Sequence, residues 1–434
     1  MTHFPDTSVF FRKLRWEYPR ITHGKGVWLH DDQGNAYLDA CGGAFVSNLG
    51  HGVSEIGDAM AAQAKRLGYV SGMTLSNTAV EEFAAELTKL PPRDLDKVYP
   101  LSSGSDAVEA ALKLARQYWA ELGRPAKQRI IALSPSYHGN TLLALSASAR
   151  EHYKTLYKGW LVDVLRAPAY DAAALEQTIA HAGAETIAAF IMEPVGGSST
   201  GALVPAPGYL RQVREICDRH EVMFIADEIL CGAGRTGAWS ALEPEGVVPD
   251  LQILGKGIAG GFAPLAALRA PARIVDVFAN GSGALNHAQT FSHHAVSCAA
   301  GTATLRYIAR HRLVERCAAQ GRKLHDRLRA LDGLPHVGAI RGRGLLAGIE
   351  FVDDPSMRAP VPLPRSVHFA ETLVRAALDA GLVVWPNVGH ANGVDGDIIM
   401  LAPPFIVTDD EIAEIVSRLV TAITHTAKQL SVKS

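Results

Sequence analysis

The chain has 434 residues, with 42 Lys and Arg against 44 Asp and Glu and a net charge of −2. That length exceeds the roughly 250–300 residues at which a single hydrophobic core stops growing, so one large domain and at least one smaller one are expected. The composition, 48% hydrophobic and 20% charged, is that of an ordinary globular protein, and the balanced charge excludes an electrostatic drive toward nucleic acid or anionic membranes.

Five cysteines, Cys41, Cys217, Cys231, Cys298 and Cys317, are widely spaced and form no CxxC pair. Neither a disulfide framework nor a zinc site is suggested, and a reducing, cytoplasmic compartment is expected. The opening Met-Thr-His-Phe-Pro-Asp has no apolar stretch of signal-peptide length. The longest apolar run, Gly257 to Leu268, is far short of the ~20 residues that span a bilayer.

In chain order, Val27 to Leu29 and Ala36 to Leu38 flank the turn-forming Asp32-Gln33-Gly34-Asn35, predicting a short hairpin. A strong helix is predicted over Ala107 to Tyr118. Ile130 to Leu133 reads as a strand, with a helix from about Asn140 and another over Asp171 to Ala182. Ile187 to Met192 is wholly apolar, as in a strand buried on both faces. A helix over Pro207 to His220 and strands at Val222 to Ala226, Leu251 to Leu254 and Leu265 to Leu268 follow. This alternation predicts an α/β architecture with a mostly parallel sheet between helices, over residues 56–320. Residues 1–55 and 321–434 are expected to form a smaller α+β domain, with a long helix after 320, strands near Leu345 to Phe351 and Ile398 to Leu401, and a last helix from Asp409.

Three segments carry candidate chemistry. Ser102-Ser103-Gly104-Ser105-Asp106 opens onto the predicted helix, and a helix N-terminus presents free N–H groups and the positive dipole end to a phosphate. Alone, it reads more readily as a plain Ser/Asp cap, since such sequences open many helices. Asp227 ends an apolar strand, the place where open α/β sheets bind ligands. A carboxylate there could hold a pyridinium N–H, or simply cap a loop. Lys256 follows a strand and lies between Gly255 and Gly257, the only lysine between Lys158 and Lys323. Burial would make it a nucleophile toward an aldehyde, while a lysine snorkelling from a sheet edge is the plain reading. Taken in series, phosphate cradle, carboxylate and amine are the three anchors of a pyridoxal-phosphate (PLP) site.

Gly232-Ala233-Gly234-Arg235-Thr236-Gly237 matches GxGxxG after a strand, which opens a second reading, a nicotinamide-dependent oxidoreductase. Pro244 and Pro249 break the helix such a site needs. His287, His293 and His294 lack metal-ligand spacing with a carboxylate, so no metal is expected.

In series, Asp227-Glu228-Ile229, Gly232 to Gly237, Pro249-Asp250 and Gly255-Lys256-Gly257 resemble the class-III (omega-aminotransferase) family of PLP enzymes, which have fold type I. The likeness runs from Gly26 to about Leu419. It implies that Lys256 holds the cofactor as a Schiff base and shuttles a proton, and that Asp227 pairs with the ring nitrogen. It also implies that Ser103, Gly104 and Ser105 hold the phosphate, and that Tyr137, beside His138, and Ile229 pack on the two ring faces. Thr290 resembles the threonine that reaches the phosphate of a neighbouring subunit, implying a homodimer or a dimer of dimers with shared sites. Members of the family transfer amino groups, by way of pyridoxamine phosphate, between an amine and a keto acid or ketone. Related chains act instead as racemases, aminomutases or phospho-lyases. Ser198 stands where ornithine and 4-aminobutyrate enzymes carry a Glu, and Trp385 follows the strand where many members carry a carboxylate-gripping Arg. With Phe45 at a pocket-aromatic position, the substrate wall is expected to be aromatic and the donor an omega-amine or bulky amine. Another Arg, or the loop Asn387 to Gly396, is left as the alternative source of a carboxylate grip.

Overall fold

The apolar segment Ile187–Met192 is an inner strand of a seven-stranded sheet in the computed structural model, which describes residues 1–357 and 359–431. The order across the sheet is Lys97–Leu101, Ala266–Ala270, Leu251–Leu254, Met223–Asp227, Ile187–Met192, Arg129–Ser134 and Leu165–Pro168. The last five run parallel. Ala266–Ala270 is antiparallel to both its neighbours, so Lys97–Leu101 points the same way as Leu251–Leu254.

Burial on both faces explains why the inner strands are apolar throughout: every residue of Ile187–Met192 and Met223–Asp227 is buried. Side chains leave the two faces alternately. Ile225 and Ile253 pack with Ala107, Val108, Ala111 and Leu114 of the helix Gly104–Glu121. Phe190, Phe224 and Ala226 pack on the other face with Leu175 and Ile179 of Ala172–Ala182 and Leu210 and Val213 of Tyr209–Arg219. Asp171 caps the first of these outer helices, accepting from the Ala174 N–H at 2.9 Å. The helix expected from Asn140 is only one turn and a half, Leu142–Ala147.

The ends of the chain build two four-stranded sheets. Ile21–Lys25, Trp28–Asp31 and Ala36–Asp39 form an antiparallel meander whose free side takes Leu382–Val383 in parallel. Val337–Gly342, Ala347–Phe351, Asp397–Leu401 and Trp385–Val388 form the other. Val27 and Leu38 share one core with Leu324, Phe351, Phe369 and Leu419. No helix among the described residues is long and apolar enough to cross a membrane.

Candidate active site

Adjacent parallel strands release their last residues at one rim of the large sheet. Met192 is level with Ala226, and Asp227 with Ile253. Glu193 and Asp227 therefore emerge side by side, with Lys256 one turn beyond the next strand. The helix Gly104–Glu121 opens at the same rim, because Leu101 and Leu254 flank the start of the reversed strand at Ala266 and Ala267. Ser103, Gly104, Ser105, Tyr137, His138, Gly139, Glu193, Asp227, Ile229, Leu230 and Lys256 line one cavity that opens to solvent, with about 610 Å³ of empty space including its mouth.

At the helix end, the Ser103 hydroxyl accepts from the Asp106 N–H at 3.2 Å and donates to the Asp106 carboxylate at 2.7 Å. The other first-turn N–H groups keep the anion-binding character of a helix N-terminus. A Cβ on Gly104 would lie 2.8 Å from Cδ1 of Ile229, so backbone alone fits there. The Ser105 hydroxyl is turned toward the next loop and accepts from the Asn140 N–H at 3.1 Å. It fills the space of a Cβ at Gly139, whose φ of +134° favours glycine as well.

Asp227 is held from two sides. Its Oδ1 accepts from the Ile229 N–H at 3.1 Å, and its Oδ2 lies 2.7 Å from Nδ1 of the fully enclosed His138. An ionised carboxylate only accepts, so this contact places the imidazole proton on Nδ1. Glu193, absent from the sequence-derived candidates, accepts from the N–H groups of Tyr137 at 3.1 Å and Gly197 at 2.9 Å. Burial pushes its carboxyl up to about 7, with His138 opposing. The strand-end rule that singles out Asp227 applies equally to Glu193 after Met192.

Lys256 has a left-handed backbone, φ +47°, a conformation that costs a non-glycine residue of order 1–3 kcal/mol. The neighbouring segment holds it there: Asn48 Nδ2 donates to the Gly257 carbonyl at 3.1 Å. Burial pulls the amine down to about 8, against the opposing pull of Glu193 and Asp227. About a tenth of the amine is then neutral at pH 7, far more than at its ordinary value, and the neutral form is the one that attacks carbonyls. The Phe45 ring centroid lies 5.0 Å from Nζ, and Trp385 packs against Phe45 at 5.4 Å. Neither aromatic lines the cavity surface itself; both belong to a core with Val195, Leu230 and Met400. Thr290 is exposed and stands outside this chain's cavity.

Gly232 to Gly237 forms successive turns and opens no helix. Arg235 within it donates to the carbonyls of Leu345 and Pro403 at 3.0 and 2.6 Å. The loop thus joins the large sheet to the C-terminal part and lacks the helix a dinucleotide site would need there. A closely approached helix N-terminus at Gly104, an oriented carboxylate and a partly neutral amine around one cavity match the three ends of PLP.

The class-III aminotransferase model matches residues 15–423. The chain is 35% identical to an uncharacterized aminotransferase of Schizosaccharomyces pombe, over 97% of this chain and 96% of that one. It is 33% identical to an omega-aminotransferase of Caulobacter vibrioides, over 93% of each. A transaminase from the marine bacterium Virgibacillus superposes with a TM-score of 0.90 at 30% identity, covering 95% of this chain and 94% of that one. The omega transaminase of Pseudomonas jessenii in complex with PMP gives 0.88 at 30% identity, with the same coverage. With its fold, its rim of anchors and these relatives, the chain belongs to the class-III aminotransferases, PLP-dependent enzymes of fold type I.

Proposed function

We propose that the enzyme takes the amino group of an omega-amine or bulky amine and delivers it to a keto acid or ketone, in a homodimer whose sites are shared. The observation that carries this is the convergence of Lys256, Asp227 and the Gly104 turn on one cavity. The apolar Ile229 and Leu230 on the cavity wall, backed by the core that holds Phe45 and Trp385, support a donor that is apolar near its amine. Bound PLP supplies an aldehyde and a ring that accepts electron density.

The chain's own groups do the rest. The backbone of Gly104 and Ser105, with Ser103, would hold the phosphate at the helix end. Asp227, aimed by His138, would keep a proton on the ring nitrogen. Tyr137 and Ile229 would pack against the ring. Lys256 would hold the aldehyde end and move a proton at Nζ. Thr290 would serve the phosphate of the partner subunit.

The test is Lys256→Ala. Turnover should vanish and borohydride should no longer fix the cofactor to the chain; full activity would defeat the assignment. Wild-type enzyme given an amine donor alone should convert its cofactor to the amine form. Racemisation or elimination without that conversion would favour the racemase, aminomutase or lyase reading.

A further inference from the structure

Beside the cavity stand two cations without a counter-charge. Arg150 precedes the turn Glu151–Lys154, and its guanidinium carbon lies 5.5 Å from the centroid of the Tyr137 ring and 4.6 Å from that of Tyr153. Arg12, from the N-terminal segment, lies over the same Tyr153 ring at 5.2 Å. Burial pushes the Tyr153 phenol up, yet the two guanidiniums outweigh it and hold the group below its ordinary value. Among the described residues neither Arg150 nor Arg12 forms an ion pair. Two other nearby arginines are taken up: Arg365 is paired with Glu371, and Arg166 donates to the carbonyls of Ser146, Ala147 and Ser148.

Tyr137 lines the cavity, and Arg150 is partly buried against it. A guanidinium stacked on two rings keeps its donor fork oriented with little rotamer freedom left to lose. Part-dehydrated, hydrogen-bonded to the neutral Tyr153 phenol but in no ion pair, it gains more from an anion than an exposed arginine would. The cavity wall itself carries one cation, Lys256, which is committed to the reacting end. A keto acid brings a carboxylate that needs a second one.

We propose that Arg150 binds the carboxylate of a keto-acid acceptor, with Arg12 adding a second cation across Tyr153. This rests on the keto-acid acceptor of the proposed function. An amine donor or an aldehyde acceptor without a carboxylate makes no use of the pair.

The experiment uses holoenzyme and three acceptors, pyruvate, 2-oxoglutarate and propanal, which has no carboxylate. Arg150→Gln should raise KM for the preferred keto acid at least about tenfold, the loss of one charge-assisted contact, with kcat changed less. Its kcat/KM loss with the keto acid should exceed the loss with propanal by at least about tenfold. Calorimetric titration of the pyridoxal form with that keto acid, where no amino group is available to transfer, should show the same weakening. Arg150→Lys, which keeps charge but not the fork, should recover part of it, and it stands in for the Gln variant if that one fails to bind cofactor. Arg12→Gln should give a smaller shift in the same direction.

Equal losses with keto acid and propanal, or an unchanged calorimetric Kd, would overturn the assignment of Arg150 alone. A wild-type enzyme that neither binds nor aminates any keto acid, yet accepts propanal, would overturn the acceptor reading and this inference with it.

Discussion

Asp227 and Glu228 are consecutive buried carboxylates with opposite fates. Glu228 is saturated by protein: one oxygen accepts from the Ser240 hydroxyl and the Gln252 amide, both at 2.6 Å, and the other from the Ala241 N–H at 2.5 Å. Gln252 in turn accepts from Arg269 at 2.8 Å, and Arg269 reaches the carbonyls of Leu90, Pro91, Pro92 and Leu95. Asp227 opens on the cavity, and its partner His138 keeps a buried Nε2 with no partner among the described residues. Successive residues of a strand leave opposite faces, so one step of parity separates a charge that ties the sheet together from a charge available to a ligand.

That contrast can be broken at either side. The largest effect is expected from Arg269→Met, which leaves Glu228 buried without its cation and strands four carbonyls. It should cost about 3–5 kcal/mol in denaturant unfolding, while the cofactor spectrum of the folded fraction stays as in wild type. Next comes Asp227→Asn: kcat should fall roughly 100- to 1,000-fold, the scale of one preorganised electrostatic contact, with little change in Tm. If the two variants exchanged phenotypes, the division of labour would be wrong.

Gly104→Ala tests how close the cradle must come. The added Cβ meets Ile229 at 2.8 Å, and overpacking of that kind costs about 1–3 kcal/mol, read as weaker PLP affinity by equilibrium dialysis. A last effect concerns Lys256 without cofactor. Its amine sits at about 8 in the fold against an ordinary 10.5. Between those values the unfolded chain binds more protons, so stability rises with pH there, and the penalty is complete below 8. Apoenzyme carrying Lys256→Met should therefore be more stable near neutrality, by up to about 3 kcal/mol, and the gain should fade toward pH 10 in denaturant melts.

The inner strands and the two anchors Asp227 and Lys256 were legible because burial on both faces writes apolar runs that end abruptly in a charge. The sheet edges were not. Lys97–Leu101 and Leu165–Pro168 contain Pro100, Pro168, Lys97 and Arg166, residues that argue against an inner strand and that an edge tolerates. Local pattern also did not show that Ala266–Ala270 runs backwards, since direction is set by partners far away in the chain. Phe45 and Trp385, expected as pocket walls, pack on each other beneath the amine. Arg150 carries no local signature at all; its meaning comes from Tyr137 and Arg12, which only the fold brings to it.

The reversed strand also works as a ruler. It places the helix that opens at Gly104 and the loop that carries the Lys256 amine on next-but-one strands, both opening toward the same side. Two strand spacings come to about 10 Å, so the gauge is built into the backbone. A single ring with one short arm spans it, whereas a dinucleotide would overshoot.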